Sequence, residues 1–263
     1  LHGTKHSFPT RRSSDLTGSE TNWGSVVSDD ETERKLPFRH ESLRPKFAVL
    51  DPVFTYSVPA YHTAAGIVDI MAHVFEQYFS PTQDAFLSDR LAEAVMKTVI
   101  HYAPVVMEQP DNYEARANIL WAGTLALNQI LTYGKITDWA THMIEHEVSA
   151  IYDISHGAGL SVLFPNWMKF VLDDDTQPKF VEYAKNVWNI DPESGNDFEL
   201  AMEGIDKTAE FFKSLNMPST LSEFKIDDSR LDEMAEKAVA FGDLGSFTKL
   251  GKDDVLEILR MSL

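Results

Sequence analysis

The sequence predicts a mainly α-helical protein, with a short strand-and-loop segment ahead of the helices. Three observations carry that reading. Beyond Pro59, apolar residues recur at spacings of three and four, the period of a helix with one buried face. Turn residues at Pro81, Pro110, Gly134, Pro165, Pro192 and Pro218 divide this pattern into helix-sized pieces. Between Thr17 and Asp51, Gly, Ser and Thr cluster instead, and short apolar runs replace the helical period.

Taken in order, the run from Ser7 to Leu16 follows neither period, and back-translated it resembles one reading frame of a widely used sequencing adapter. Residues 1–16 are therefore expected to be a disordered assembly artefact, with the natural protein starting further upstream. Residues 17–51 read as strand and loop, the strands being Ser25 to Val27 and Phe47 to Leu50. Residues 52–263 read as an all-helical domain of roughly eight to ten helices. The clearest run approximately over 63–80, 84–107, 112–133, 138–152, 157–171, 198–215, 228–241 and 252–262.

Composition narrows the function. With 43% apolar and 24% charged residues, the 263-residue chain has the balance of a folded protein. A net charge of −18 repels phosphate backbones and anionic lipid, which argues against a nucleic-acid or membrane-surface partner. Acidic runs such as Asp173 to Asp175 read as solvated surface. The absence of cysteine excludes disulfides, thiolate metal sites and thiol catalysis, so a metal would need His, Asp or Glu ligands. No apolar run approaches the ~20 residues that span a bilayer, and no secretory leader layout is present, so a cytoplasmic protein is expected.

Nine histidines are spread along the chain. Asp69 and His73 are four apart on a predicted helix, which stacks them on one face about a turn apart. That spacing suits a shared cation, and equally a surface ion pair. His142 and His146 repeat it, and His156 follows at a turn where Gly157 and Gly159 permit close backbone approach. One carboxylate with three imidazoles suits ferrous iron or zinc, provided two helical segments far apart in sequence face each other. Two other patterns fail. Glu145 stands at the fourth position of His142 to His146, where a zinc-protease helix has its Glu second. Val162 replaces the third glycine that a dinucleotide loop from Gly157 would need, and helix packing accounts better for those glycines.

The linked motifs resemble one family: Thr17 to Glu20 with Glu31 to Lys35, then Thr63 to His73, then Asp138 to His142 and on to His156 and Gly157. Over about residues 17–263 the chain resembles the iron-containing (group III) alcohol dehydrogenases, in their butanol dehydrogenase branch. The resemblance implies a dehydroquinate synthase-like fold, in which an α/β cofactor domain precedes a helical metal-binding domain. Residues 17–51 would then be a remnant of the former, and 52–263 the latter. It implies a divalent metal, iron(II) or zinc, on Asp69, His73, His142 and His156. It places His146 near the nicotinamide as a catalytic or substrate-ordering group, with Thr17, Ser19 and Lys35 against an NAD or NADP cofactor. The implied reaction is hydride transfer between NAD(P)H and a small aliphatic aldehyde, in a protein whose full-length form is a homodimer.

The upstream glycine-rich phosphate loop of that family is missing, and no two of the 13 glycines are adjacent. The chain as given is therefore expected to be inactive as a dehydrogenase. Two further readings stay open on the residues alone: a metal-dependent hydrolase, since the same ligands activate water, and a non-catalytic metal-binding helical module.

Overall fold

The computed structural model describes residues 17–29 and 31–263; residues 1–16, with the artefact expected there, lie outside that range. Every residue from Thr63 to Tyr78 is buried in the first helix, α1 (Ala60–Tyr78). A helix buried on all sides must run through the middle of its domain. Around it pack α2 (Phe86–Glu108), α3 (Tyr113–Leu127) and α5 (His156–Val171). Next to α5 lies α4 (Ala140–Tyr152), which also touches α8 (Leu231–Ala238). The helices α6 (Gln177–Trp188) and α7 (Asp197–Ser214) pack on each other, and α9 (Lys252–Met261) closes against α8 and α5. Ahead of the helices, β1 (Gly24–Asp29) and β2 (Arg34–Arg39) form an antiparallel hairpin with Gly24 opposite Arg39. Strand β2 rests on α4.

The core is aromatic where α1, α5 and α6 meet. Phe79 lies 4.7 Å from Phe180, 5.4 Å from Tyr183 and 5.8 Å from Trp167, measured between ring centroids. Such tilted and edge-on pairs add to the stabilisation from area burial alone.

The described residues hold nine α-helices, and the structure departs from the sequence expectation in several places, beginning with β2, which is not among the expected strands. Phe47 to Leu50 is not a strand; Phe47 and Val49 are both 83% exposed, and no neighbouring strand supplies the hydrogen bonds. The third helix stops at Leu127, because Gln129 takes a left-handed φ of 77° that a helix cannot accommodate. Pro165 lies inside α5, where the buried Phe164, Trp167 and Met168 outweigh its lost hydrogen bond. The sequence expectation lacks α6, although Phe180, Val181, Ala184 and Val187 keep a helical period on its buried face. Its Pro178 occupies the first turn, where a missing N–H costs nothing.

One contact sets the spacing of the two helices that matter most. A Cβ on Gly157 would lie 2.0 Å from the carbonyl oxygen of Ala65, so α5 meets α1 backbone to backbone. Gly157→Ala should therefore destabilise the protein by about 1–3 kcal/mol. The measurement is the urea midpoint; an unshifted midpoint would show that the approach is not tight.

Candidate metal centre

Asp69 and His73 lie a turn apart on α1, His142 and His146 a turn apart on α4, and His156 is the first residue of α5. Because α1, α4 and α5 pack together, Asp69, His73, His142 and His156 converge on one point, and the His146 ring lies 5.3 Å from that of His156. Oδ1 of Asp69 is 3.7 Å from Nε2 of His142, 3.7 Å from Nε2 of His156 and 3.8 Å from Nε2 of His73. These separations are too long for hydrogen bonds. They are close to the spacing of donors that share a cation through bonds of about 2.0–2.3 Å. Oδ1 of Asp69 and Nε2 of His142 are buried without a hydrogen-bond partner. An orphaned buried acceptor costs about 1–3 kcal/mol, a cost that an ion between the donors would offset. The donor set, one carboxylate and three imidazoles, fits a divalent cation.

Charge follows the same layout. Burial opposes ionisation of Asp69, but the surrounding imidazoles, His73 foremost, outweigh it and hold the carboxyl below its ordinary range. Burial pushes His73 down to about 4 and so keeps it neutral. Burial also acts against a charge on His142, yet the adjacent Asp69 and Glu76 prevail and raise it to about 9. His146 is displaced well below its ordinary value, by burial first and then by the neighbouring His156 and Lys35.

Glu76, on α1, accepts from Nδ1 of His142 at 2.8 Å, from the His142 backbone N–H at 3.0 Å and from that of Trp139 at 2.6 Å. It thereby pins the entry to α4, where Trp139 holds a left-handed φ of 70°. The Trp139 ring lies edge-on to His142 at 5.1 Å, and the Arg39 guanidinium sits 5.0 Å from its centroid. On α4, Glu145 meets Nδ1 of His156. Sequence reasoning passes over Glu76 and treats Glu145 only as a failed motif. A signal existed: Asp69, His73 and Glu76 fall at i, i+4 and i+7 on a single helix face.

The centre opens into a cavity of about 1820 Å³, and Thr17, Ser19, Lys35 and His146 line it together with the four clustered residues. Lys35 reaches from β2 to donate to Oγ of Ser149 at 2.8 Å. Of the remaining histidines, His62 borders the cavity, His40 and His101 are exposed, and His2 and His6 lie outside the described residues.

Residues 63–263 match the family described as Fe-containing alcohol dehydrogenase family, C-terminal. The chain belongs to that family. Among its relatives, NADH-dependent butanol dehydrogenase B of Clostridium acetobutylicum is 47% identical over 250 residues, covering 94% of this chain and 64% of the relative. NADPH-dependent aldehyde reductase YqhD of Escherichia coli is 38% identical over 247 residues, covering 93% of this chain and 62% of the relative. The crystal structure of NADH-dependent butanol dehydrogenase A from Thermotoga maritima superposes with a TM-score of 0.89 at 32% identity, over 94% of this chain and 64% of that one. The chain thus spans a little under two thirds of these relatives. Its helical part has the dehydroquinate synthase-like fold found across the iron-containing alcohol dehydrogenases. Among the described residues, no helix is long and apolar enough to cross a membrane.

The raised value of His142 has a testable sign in chelator-treated protein. Its folded-state value of about 9 exceeds the ordinary 6.5, so its stabilising contribution is complete below 6.5 and is lost as pH rises through 9. The urea midpoint should fall across that window, and His142→Gln should flatten the fall. An equal slope in the variant would reject the assignment.

Proposed function

We propose that this chain is the metal-binding catalytic part of an NAD(P)-dependent alcohol dehydrogenase that interconverts small aliphatic aldehydes and alcohols. The observation that carries it is the meeting of Asp69 Oδ1 with three imidazole Nε2 atoms at 3.7–3.8 Å on the wall of a large cavity. Family membership favours hydride transfer over the hydrolase and binding-module readings. In this proposal Asp69, His73, His142 and His156 hold a divalent cation, iron(II) or zinc. When bound, the cation polarises the substrate carbonyl as a Lewis acid, and the reduced nicotinamide supplies hydride.

The residues of the chain do the rest. Asp69 contributes the one negative charge to an otherwise neutral ligand set, so the site keeps net positive charge. His146, neutral and facing the cavity, accepts or returns the alcohol proton at a ring nitrogen. Trp139 walls the cavity beside His73 and His142 and excludes water from that side. Thr17, Ser19 and Lys35, which line the same cavity, contact the cofactor. Residues 17–51 then form the edge of a cofactor domain and 52–263 the catalytic helical domain. Relatives named for NADH and for NADPH both support a nicotinamide, so the proposal admits either. The homodimer implied for the complete protein belongs to the same reading.

Asp69→Ala should lower bound iron or zinc well below one per chain, read by elemental analysis after purification without chelator; unchanged content would sink the ligand assignment. The 263-residue chain should bind metal yet leave NADH and NADPH unoxidised in the presence of butanal, since few groups remain to hold the cofactor's pyrophosphate. Robust turnover would contradict this. In a version extended to the relatives' length, His146→Ala should cut kcat by about 10²-fold or more at unchanged metal content. Unaltered kcat would remove His146 from the chemistry.

A further inference from the structure

We infer that Glu145 is a positioning residue for His156, and that this is the role for which its buried carboxylate is retained. The inference rests on the reading that His156 is a metal ligand. An imidazole can offer Nε2 to a cation only while its proton sits on Nδ1, and the proton stays there when an acceptor faces it. Nδ1 of His156 meets Oε2 of Glu145, and Nε2 points towards Asp69. Glu76 stands behind His142 in the same way. His73 differs, because its Nδ1 is buried without a partner.

Three features show that the fold is built around the Glu145 carboxylate. Its side chain is fully buried. A Cβ at Gly159 would lie 2.7 Å from Glu145 Oε1, so a glycine one turn into α5 keeps its slot open. Lys35 crosses from β2 to within 3.8 Å of Oε2, bringing a positive charge, and the Ser149 hydroxyl donates to the same oxygen at 3.4 Å. Glu145 therefore joins the hairpin, α4 and α5 at the back of one imidazole. It also supplies negative charge that makes that imidazole a stronger donor.

The test uses cobalt(II) added to the chelator-treated 263-residue chain, followed by visible absorption and by competition with a chelator. Glu145→Gln should weaken cobalt binding about 10- to 100-fold and shift the absorption bands. In a His156→Ala background the same substitution should change nothing further, because its effect passes through that ring. Gly159→Ala, which crowds the carboxylate without removing charge, should weaken cobalt in the same direction, and carries the test should Glu145→Gln fail to fold. If the unmutated chain binds cobalt and Glu145→Gln binds it equally well, or if the losses add in the double variant, this inference is overturned alone. If the unmutated chain binds no cobalt, the metal reading falls first and this one with it.

Discussion

Three carboxylates buried among apolar helices set the terms for the rest of this structure. Asp69, Glu76 and Glu145 are 7%, 1% and 0% exposed. A carboxylate removed from water costs several kcal/mol unless donors replace its hydration. The fold answers most of that demand locally, while Oδ1 of Asp69 and Oε1 of Glu145 are buried without a hydrogen-bond partner. Glu76 receives one imidazole and two backbone N–H groups, and Glu145 an imidazole and a hydroxyl, with an ammonium nearby. Asp69 faces three imidazoles at distances that leave room for a cation. Polar groups that would otherwise weaken the core thus determine how α1, α4 and α5 pack, and the cavity follows from that packing.

A second, largely buried charged network holds the frame away from the histidines. Asp89 on α2 binds Lys135 at 2.5 Å and Lys179 at 2.7 Å, and Lys179 continues to Glu182 on α6. Lys135 lies in the segment between α3 and α4, so this network anchors the approach to the histidine helix. Asp138, at the end of that segment, accepts from the backbone N–H groups of Ser246 and Phe247, both at 2.7 Å. Burial, reinforced by Glu76, raises its carboxyl to about 6. Part of the acidic surplus in the sequence is therefore structural, while Asp173 to Asp175 are solvent-exposed.

Helices with strong amphipathic periods were legible before any coordinates, and so were the two Asp/His and His/His pairs, because spacing of four is a local property. What spacing could not supply is the meeting of α1 with α5, which depends on the bare backbone at Gly157, and of α1 with α4, which Glu76 ties together. The pairwise motifs marked candidates, and the resemblance linked them into one set. Glu76 escaped notice because an acid in a helix usually faces water, although its spacing puts it on the same helix face as Asp69 and His73. The Phe47 to Leu50 segment misled for the opposite reason. Its composition suits a strand, but a strand needs a partner, and pairing is tertiary. The expected helices leave out α6, although its buried residues keep a helical period and Pro178 suits a first turn.

The hairpin in front of the cavity has a practical side. Among the described residues, each of its strands has only the other as a hydrogen-bonded neighbour, and Val26, Val27, Leu36 and Phe38 are all exposed. An unpaired strand margin with apolar side chains is a template on which other copies can add. At low ionic strength, mutual repulsion from the charge of −18 keeps such margins apart. Concentrated salt shortens the reach of that repulsion to about 3 Å at 1 M. This small ribbon is therefore one place where rising salt lets copies of the chain add to one another in storage and crystallisation.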